Sequence, residues 1–214
     1  MPSFIHSPAV GRSYITNAKA HINSREVRSL DIKQYFASSQ SWRVYSFFHE
    51  VMRCSPDVAD ILTKLSTVNG HLPTGSPLSP ILSYFAHIGM WEAIHEQVRS
   101  AGCTLTVYMD DVTISGSSVP DKLIWQVKRE FLRCGLRDNR EKEKRYVGNK
   151  PRKITGVIVN DGKLKIPNIQ HKKMHERRQA IMRETEHTEK EHLIQSLKGL
   201  ESQAQQIIKA NESM

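Results

Sequence analysis

Asp110 and Asp111 stand side by side between two short runs rich in Val, Ile and Thr, Thr104–Tyr108 and Val112–Ser115. The pattern reads as two strands joined by a tight turn with a carboxylate pair at its tip. Adjacent carboxylates repel one another, so a rigid hairpin that presents both either leaves them in water or uses them on a cation. Taken alone the pair is ordinary turn chemistry, since Asp is a common turn residue. Asp31 is the third acid of interest. It lies between Leu30 and Ile32, where an unpaired carboxylate is costly to bury unless it faces solvent on an alternating strand. A strand end and a hairpin tip together suit two-metal phosphoryl transfer, in which carboxylates bridge two Mg²⁺ ions roughly 3.5–4 Å apart while the ions clamp attacking and leaving oxygens.

The elements that must hold these acids follow from periodicity. Glu26 to Phe36 reads as a strand running into a turn or helix, and Trp42 to Leu65 as two helices broken near Ser55-Pro56. Asn69 to Pro80 is a turn cluster with two glycines and three prolines, feeding an apolar segment from Ile81 to Val98 that is long enough for one helix with Pro80 in its first turn. Free backbone N–H groups at such a helix start can meet phosphate; read plainly, the loop only connects. A helix is expected over Pro120–Cys134, ended by Gly135, then a basic stretch from Arg137 to Arg145, then a hairpin over Lys153–Ile166 turning at Asp161-Gly162. Ahead of all this, Thr16 to His21 opens a short helix with Thr16 as its cap. The mixture predicts an α+β fold, helices packed on one face of an antiparallel sheet.

Beyond Pro167 the composition shifts to Lys, Arg, Glu, Gln and His. Thr188-x-x-Glu191 resembles a capping box, and Leu193, Leu197, Leu200, Ala204, Ile207 and Ile208 keep helical spacing, so a small helical appendage is expected. His171 and His175 lie four apart without a third ligand, and read as part of a basic helix face rather than a zinc site.

A length of 214 residues allows one core and an appendage, and a net charge of +9 suits a polyanionic partner, by default nucleic acid. No apolar run approaches the roughly 20 residues needed to cross a bilayer. Three cysteines at wide spacing and an N-terminus without a signal-peptide pattern predict a cytoplasmic protein with no membrane partner.

Taken together, these residues resemble the reverse transcriptases, and within them the bacterial retron type. Tyr108-Met-Asp-Asp111 resembles the family's catalytic box and Leu30-Asp-Ile-Lys-Gln-Tyr-Phe36 its first metal-binding motif. Leu72-Pro-Thr-Gly-Ser-Pro-Leu-Ser-Pro80 is similar to the loop and helix that hold template and nucleotide. Asn139-Arg-Glu-Lys142 falls where the family places a lysine near the triphosphate; Ile154-Thr-Gly156 resembles the retron Val-Thr-Gly triplet and Asn17-Ala-Lys-Ala-His21 the Asn-Ala-x-x-His motif.

The resemblance implies that Asp31, Asp110 and Asp111 are the catalytic ligands of two Mg²⁺ ions, with the Ile32 carbonyl as a backbone ligand. Phe36 would be the steric gate against a ribose 2′-hydroxyl, and Pro73, Thr74, Gly75, Tyr108 and Met109 would contact substrate. Lys142 would neutralise or protonate the pyrophosphate leaving group, although Lys144, two residues on, is an alternative that the residues alone leave open. The implied fold is a polymerase palm at 25–166, with a helical insertion at about 37–72, and a helical thumb at 167–214; residues 1–24 would be a remnant of the fingers. Implied partners are a structured RNA template, an RNA/DNA duplex, dNTPs and a retron effector protein, with the DNA product serving anti-phage defence. Thr74 replaces the family's glutamine, Ile154 its valine, and Met109 the alanine more usual in retron enzymes. Little precedes Gly11 where the fingers should lie, leaving Arg12 and Lys33 as basic residues for the triphosphate. That favours, as an alternative, an inactive shortened relative acting as an RNA-binding scaffold. A group II intron-type reverse transcriptase is less expected, because no maturase segment follows the thumb.

Overall fold

The computed structural model describes residues 1–212. In chain order the elements are β1 (Ile5–Ser7), α1 (Tyr14–Lys19), β2 (Glu26–Asp31), α2 (Tyr35–Ser38), α3 (Ser41–Ser46), α4 (Pro56–Ser66), α5 (Ser79–Ala86), α6 (Ile88–Ser100), β3 (Thr104–Tyr108), β4 (Asp111–Gly116), α7 (Asp121–Arg133), β5 (Lys144–Val147), β6 (Arg152–Ile154), β7 (Val157–Asn160), β8 (Lys163–Lys165), α8 (Asn168–Arg183) and α9 (His187–Glu212). They form two compact units: Met1–Ser13 with Ser24–Gly148, and Tyr14–Asn23 with the chain from Asn149 onward.

The first unit is built on a five-stranded sheet in the order β1-β3-β4-β2-β5, antiparallel except where β1 runs parallel to β3. Period-two alternation sorts its faces. Leu30, Leu105, Val107, Val112 and Ile114 point to one side and are buried with Met90, Trp91, Ile94 and Val98 of α6 and Leu123, Ile124, Val127 and Phe131 of α7. Each such side chain contributes about 1.5–3 kcal/mol of burial. The intervening residues, Ser29, Asp31, Thr106, Asp111, Thr113 and Ser115, give the other face its carboxylates and hydroxyls. A second cluster, Val44, Phe47, Phe48, Ala59, Leu72 and Leu82, gathers α3, α4 and α5, and Phe36 packs against both clusters.

Several expectations are revised by packing. The segment Ile81–Val98 is two helices, not one, because His87 leaves helical geometry (φ −121°, ψ 23°) and buries its ring, with Nε2 3.2 Å from the Ser39 hydroxyl. Burial pushes His87 down to about 3, so it is neutral there. The basic stretch after Arg137 holds a strand, β5, which pairs with β2 at the sheet edge. Thr16 lies inside α1 rather than at its cap, and Thr188 inside α9.

In the second unit the expected Lys153–Ile166 hairpin is a three-stranded sheet, β6-β7-β8, because Thr155-Gly156 makes a further turn with positive φ at both residues. Asp161-Gly162 turns as expected, again with positive φ at both. The Asn211 side chain pairs with the Leu164 backbone in both directions, at 2.8 and 2.9 Å, and fastens α9 to β8. Among the described residues no helix is long and apolar enough to cross a membrane.

One charged cluster decides how β5 and the turn before it are held. Arg28 of β2, with a side chain only 9% exposed, donates to Asp121 at 2.6 Å and to Glu143 at 3.0 Å. Lys128 of α7 meets Glu143 at 2.5 Å and Asp138 at 2.9 Å. Burial works against charge on Arg28, Lys128 and Glu143, yet the hydrogen-bonded partners prevail, holding both bases above and the acid below their ordinary values. Removing one member of such a buried set strands the others. Arg28→Met is therefore expected to lower unfolding stability by about 3 kcal/mol in urea titration. Asp121→Asn, whose side chain is 74% exposed, should shift the same titration far less.

Candidate active site

Three neighbouring strands end together where the acids lie. Tyr108 pairs with Asp111 across β3 and β4, and Asp111 pairs with Asp31 across β4 and β2. Residues opposed in an antiparallel pair share a face, with Cβ atoms about 4.5–5.5 Å apart. Asp31 and Asp111 are thus forced side by side, and Asp110 adjoins them in the two-residue connection Met109-Asp110. The main chain fixes this arrangement. The Ile32 N–H donates to the Asp110 carbonyl at 3.0 Å, the Asn139 N–H to the Asp31 carbonyl at 2.8 Å, and the Met109 N–H to the Ser7 carbonyl at 3.2 Å. Met109 takes a φ of 56°. That left-handed conformation costs about 1–2 kcal/mol for a residue with a Cβ, offset by the bonds on either side of it.

Electrostatics at the tip are unfavourable by construction. Burial, then the charges of Asp110 and Asp31, pushes Asp111 up to about 6. Asp110 is raised as well, by burial and by Asp31, against the opposing pull of its own backbone N–H and of Lys142. Lys142 Nζ lies 2.9 Å from Asp31 Oδ2, and this contact raises the lysine above its ordinary value. Of the two lysines open in the sequence, it is Lys142 that reaches Asp31, while Lys144 is paired through its backbone with Ser29.

Oxygen-only donors suit a hard cation such as Mg²⁺. Among the described residues no group of three or more His, Cys, Asp or Glu side chains forms a ready metal cage. Mg²⁺ is commonly held through one or two carboxylates completed by water and substrate phosphate. The clustered, mutually repelling Asp31, Asp110 and Asp111 fit it.

The remaining expected residues fall in a second group. The Tyr35 hydroxyl donates to the Ser83 carbonyl at 2.9 Å and accepts from Trp91 Nε1 at 3.1 Å, fixing α2, with Phe36 half-buried beside it, against α5. The Leu72 N–H donates to the Ser39 carbonyl at 3.1 Å, and Ser79 Oγ to the Pro73 carbonyl at 2.6 Å. Both ends of the Pro73-Thr74-Gly75 loop are held this way while Thr74 and Gly75 stay exposed. Arg12 is occupied elsewhere: its guanidinium donates to the carbonyls of Pro2 and Ile5. In the second unit, Asn17 Nδ2 donates to Thr155 Oγ1 at 3.2 Å, and that hydroxyl donates to the Tyr14 carbonyl at 3.0 Å. The Asn-Ala-x-x-His and Ile-Thr-Gly motifs are therefore one structural joint.

Sequence reasoning gave no role to Arg28, Lys128, Asp138 and Glu143, which with Asn139 of the recognised motif set the turn that carries Lys142. Their one visible signal was Arg28, a charge at a position of β2 that alternation assigns to the helix-covered face.

Burial and the neighbouring acids push Asp111 up to about 6 from the 3.8 of a free side chain, so the folded state loses stability as pH rises through that interval and carries the full penalty above it. Without divalent cations, Asp111→Asn is expected to stabilise the protein by about 1–2 kcal/mol at pH 8, after allowance for solvent screening. The gain should shrink below pH 6 and vanish below about pH 4, read by thermal melts across pH.

No protein-family model matches the chain. It is 34% identical over 114 residues to the retron Se72 reverse transcriptase of Salmonella heidelberg, covering 53% of this chain and 30% of that protein. To the retron Ec86 reverse transcriptase of Escherichia coli it is 27% identical over 168 residues, 76% of this chain and 51% of the other. To the retron Mx65 reverse transcriptase of Myxococcus xanthus the identity is 28% over 174 residues, 72% of this chain and 41% of the other. The chain thus spans roughly a third to a half of the length of these relatives. A solved structure of apo telomerase from Candida tropicalis, truncated from its C-terminal domain, superposes with a TM-score of 0.52 at 12% identity, over 66% of this chain and 35% of that one, a likeness of fold. Over most of its length the chain is similar in sequence to retron reverse transcriptases.

Proposed function

We propose that this chain carries the palm and thumb of a retron-type RNA-directed DNA polymerase, which extends a primer hydroxyl with dNTPs on a structured RNA template. The observation that supports this most is the strand register that opposes Asp31 and Asp111 with Asp110 at the tip, in a homologue of proteins named retron reverse transcriptases. Asp31, Asp110 and Asp111, with the Ile32 carbonyl, would hold the metal. Mg²⁺, when bound, would stabilise charge on the attacking and leaving oxygens of an in-line displacement. Phosphoryl transfer asks the protein chiefly for position and complementary charge. Tyr108 and Met109 present the tip to the substrate, and Pro73, Thr74 and Gly75 border the nucleotide. Phe36, wedged between two cores, has little freedom to yield to a 2′-hydroxyl. Lys142 meets the polyphosphate as its charge grows.

On the thumb, α8 carries Lys172, Lys173, Arg177, Arg178 and Arg183, which suit salt-dependent contacts with duplex phosphate. By the same family reading, the template is a dedicated noncoding RNA and the product acts with an effector protein in anti-phage defence.

Primer extension on poly(rA)/oligo(dT) with Mg²⁺ tests the polymerase. Incorporation is expected from the wild-type chain and a loss of at least about a thousandfold from Asp110→Ala/Asp111→Ala. Equal incorporation by both would sink the assignment of the acids, whereas RNA binding with no incorporation by either would point to a scaffold. Phe36→Val should raise rNTP use relative to dNTP use about tenfold or more, read as the ratio of kcat/KM values.

A further inference from the structure

In the polymerase reading, on which this inference rests, Lys142 serves only the nucleotide, yet its partner in the structure is Asp31. We propose that the Lys142 ammonium is the resident counter-cation of the metal-free site: it holds the Asp31 oxygen that a divalent cation needs, and metal loading displaces it toward the nucleotide.

The two partners differ in how they are held. The Asp31 side chain is 7% exposed, on a strand end tied by its own carbonyl to the Asn139 N–H and by Ile32 to the Asp110 carbonyl. The Lys142 side chain is 61% exposed, so the ammonium reaches in from solvent on a flexible stem. Its root is fixed. The Lys142 N–H donates to the Asn139 carbonyl at 3.0 Å, and the next residue, Glu143, is clamped by Arg28 and Lys128. The tip can therefore swing while the base of the side chain stays beside the site.

Three acids meet at one sheet end, and the bound ammonium offsets part of their repulsion. A divalent cation on Asp31 competes for the same lone pairs and repels the ammonium once seated. The displaced group, still anchored next to the tip, finds its nearest new anion in the polyphosphate of an incoming nucleotide. Lys142 is thereby released for substrate only when the acids hold metal, which couples loading to nucleotide engagement without movement of the main chain.

Binding of Mn²⁺ to the nucleotide-free chain, followed through the paramagnetic resonance of free Mn²⁺, separates this from a general charge effect. Lys142→Met should bind Mn²⁺ roughly three- to tenfold more tightly than wild type at low ionic strength, the competitor being gone. Lys144→Met removes the same charge without a hydrogen bond to Asp31 and should tighten binding by less than about twofold. Unchanged or weaker binding by Lys142→Met, or equal tightening by both variants, would overturn the exchange and leave the metal site standing. No Mn²⁺ bound by wild type or by Lys142→Met would instead defeat the metal-site reading itself. Side-chain ammonium resonances of ¹⁵N-labelled protein give an independent readout: a slowly exchanging Lys142 signal should be lost on adding Mg²⁺, and its persistence in saturating Mg²⁺ would also overturn the proposal.

Discussion

Like-charge repulsion at the end of β2, β3 and β4 is the constraint around which the first unit is arranged. The register leaves no freedom to separate Asp31 from Asp111, because a slip of one residue would turn every side chain of the strand to the other face and expose the apolar set that packs on α6 and α7. Hydrophobic burial over the whole sheet therefore holds the acids together against their own field. Burial first, and the neighbouring acids after it, raise Asp110 and Asp111, and those shifts record what the arrangement costs.

A tip under such load needs bracing, and the braces come from distant parts of the chain. The Ser7 carbonyl receives the Met109 N–H, so the short parallel strand β1 is a strut for the hairpin connection. Arg12 in turn secures the Pro2 and Ile5 carbonyls on either side of that strand's start. On the other flank Asn139 binds the Asp31 carbonyl, and Arg28, Lys128, Asp138 and Glu143 fix the turn from which Lys142 reaches in. Asp31 and Asp111 thus stand on strands with Asp110 in the connection between two of them, while the ammonium beside Asp31 stands on a clamped turn.

What the sequence disclosed follows from whether the signal is local. The hairpin at Met109-Asp110, the strand ending at Asp31, the helix Asp121–Arg133 and the turn at Asp161-Gly162 rest on alternation, helical spacing and turn residues within a few positions, and all are present. The break at His87 rests on a hydrogen bond to Ser39, and β5 forms from a basic segment because β2 offers it an open edge, so neither has a local mark. Within the site the acids were legible as residue types. Asp31 was the less obvious of them, since only its partner across β4 gives a carboxylate between Leu30 and Ile32 a purpose. The bracing network was largely illegible because its members are scattered from Arg28 to Glu143 and all but Arg28 read alone as surface groups.

The loop of Pro73, Thr74 and Gly75 shows the opposite economy. Its ends are set by Leu72, fully buried and bonded to Ser39, and by the Ser79 hydroxyl on Pro73, while the residues between them contribute little to the core. Thr74 is exposed, so its side chain lies outside the contacts that set the place of the loop. Phe36 is bound differently. It packs on both clusters of the first unit, so its ring cannot be altered for the sake of a nucleotide without loosening α2, and with α2 the Tyr35 hydroxyl that joins it to α5. In the polymerase proposed above, discrimination at the sugar would thus rest on a ring held by the core, and contact with the nucleotide on an exposed loop.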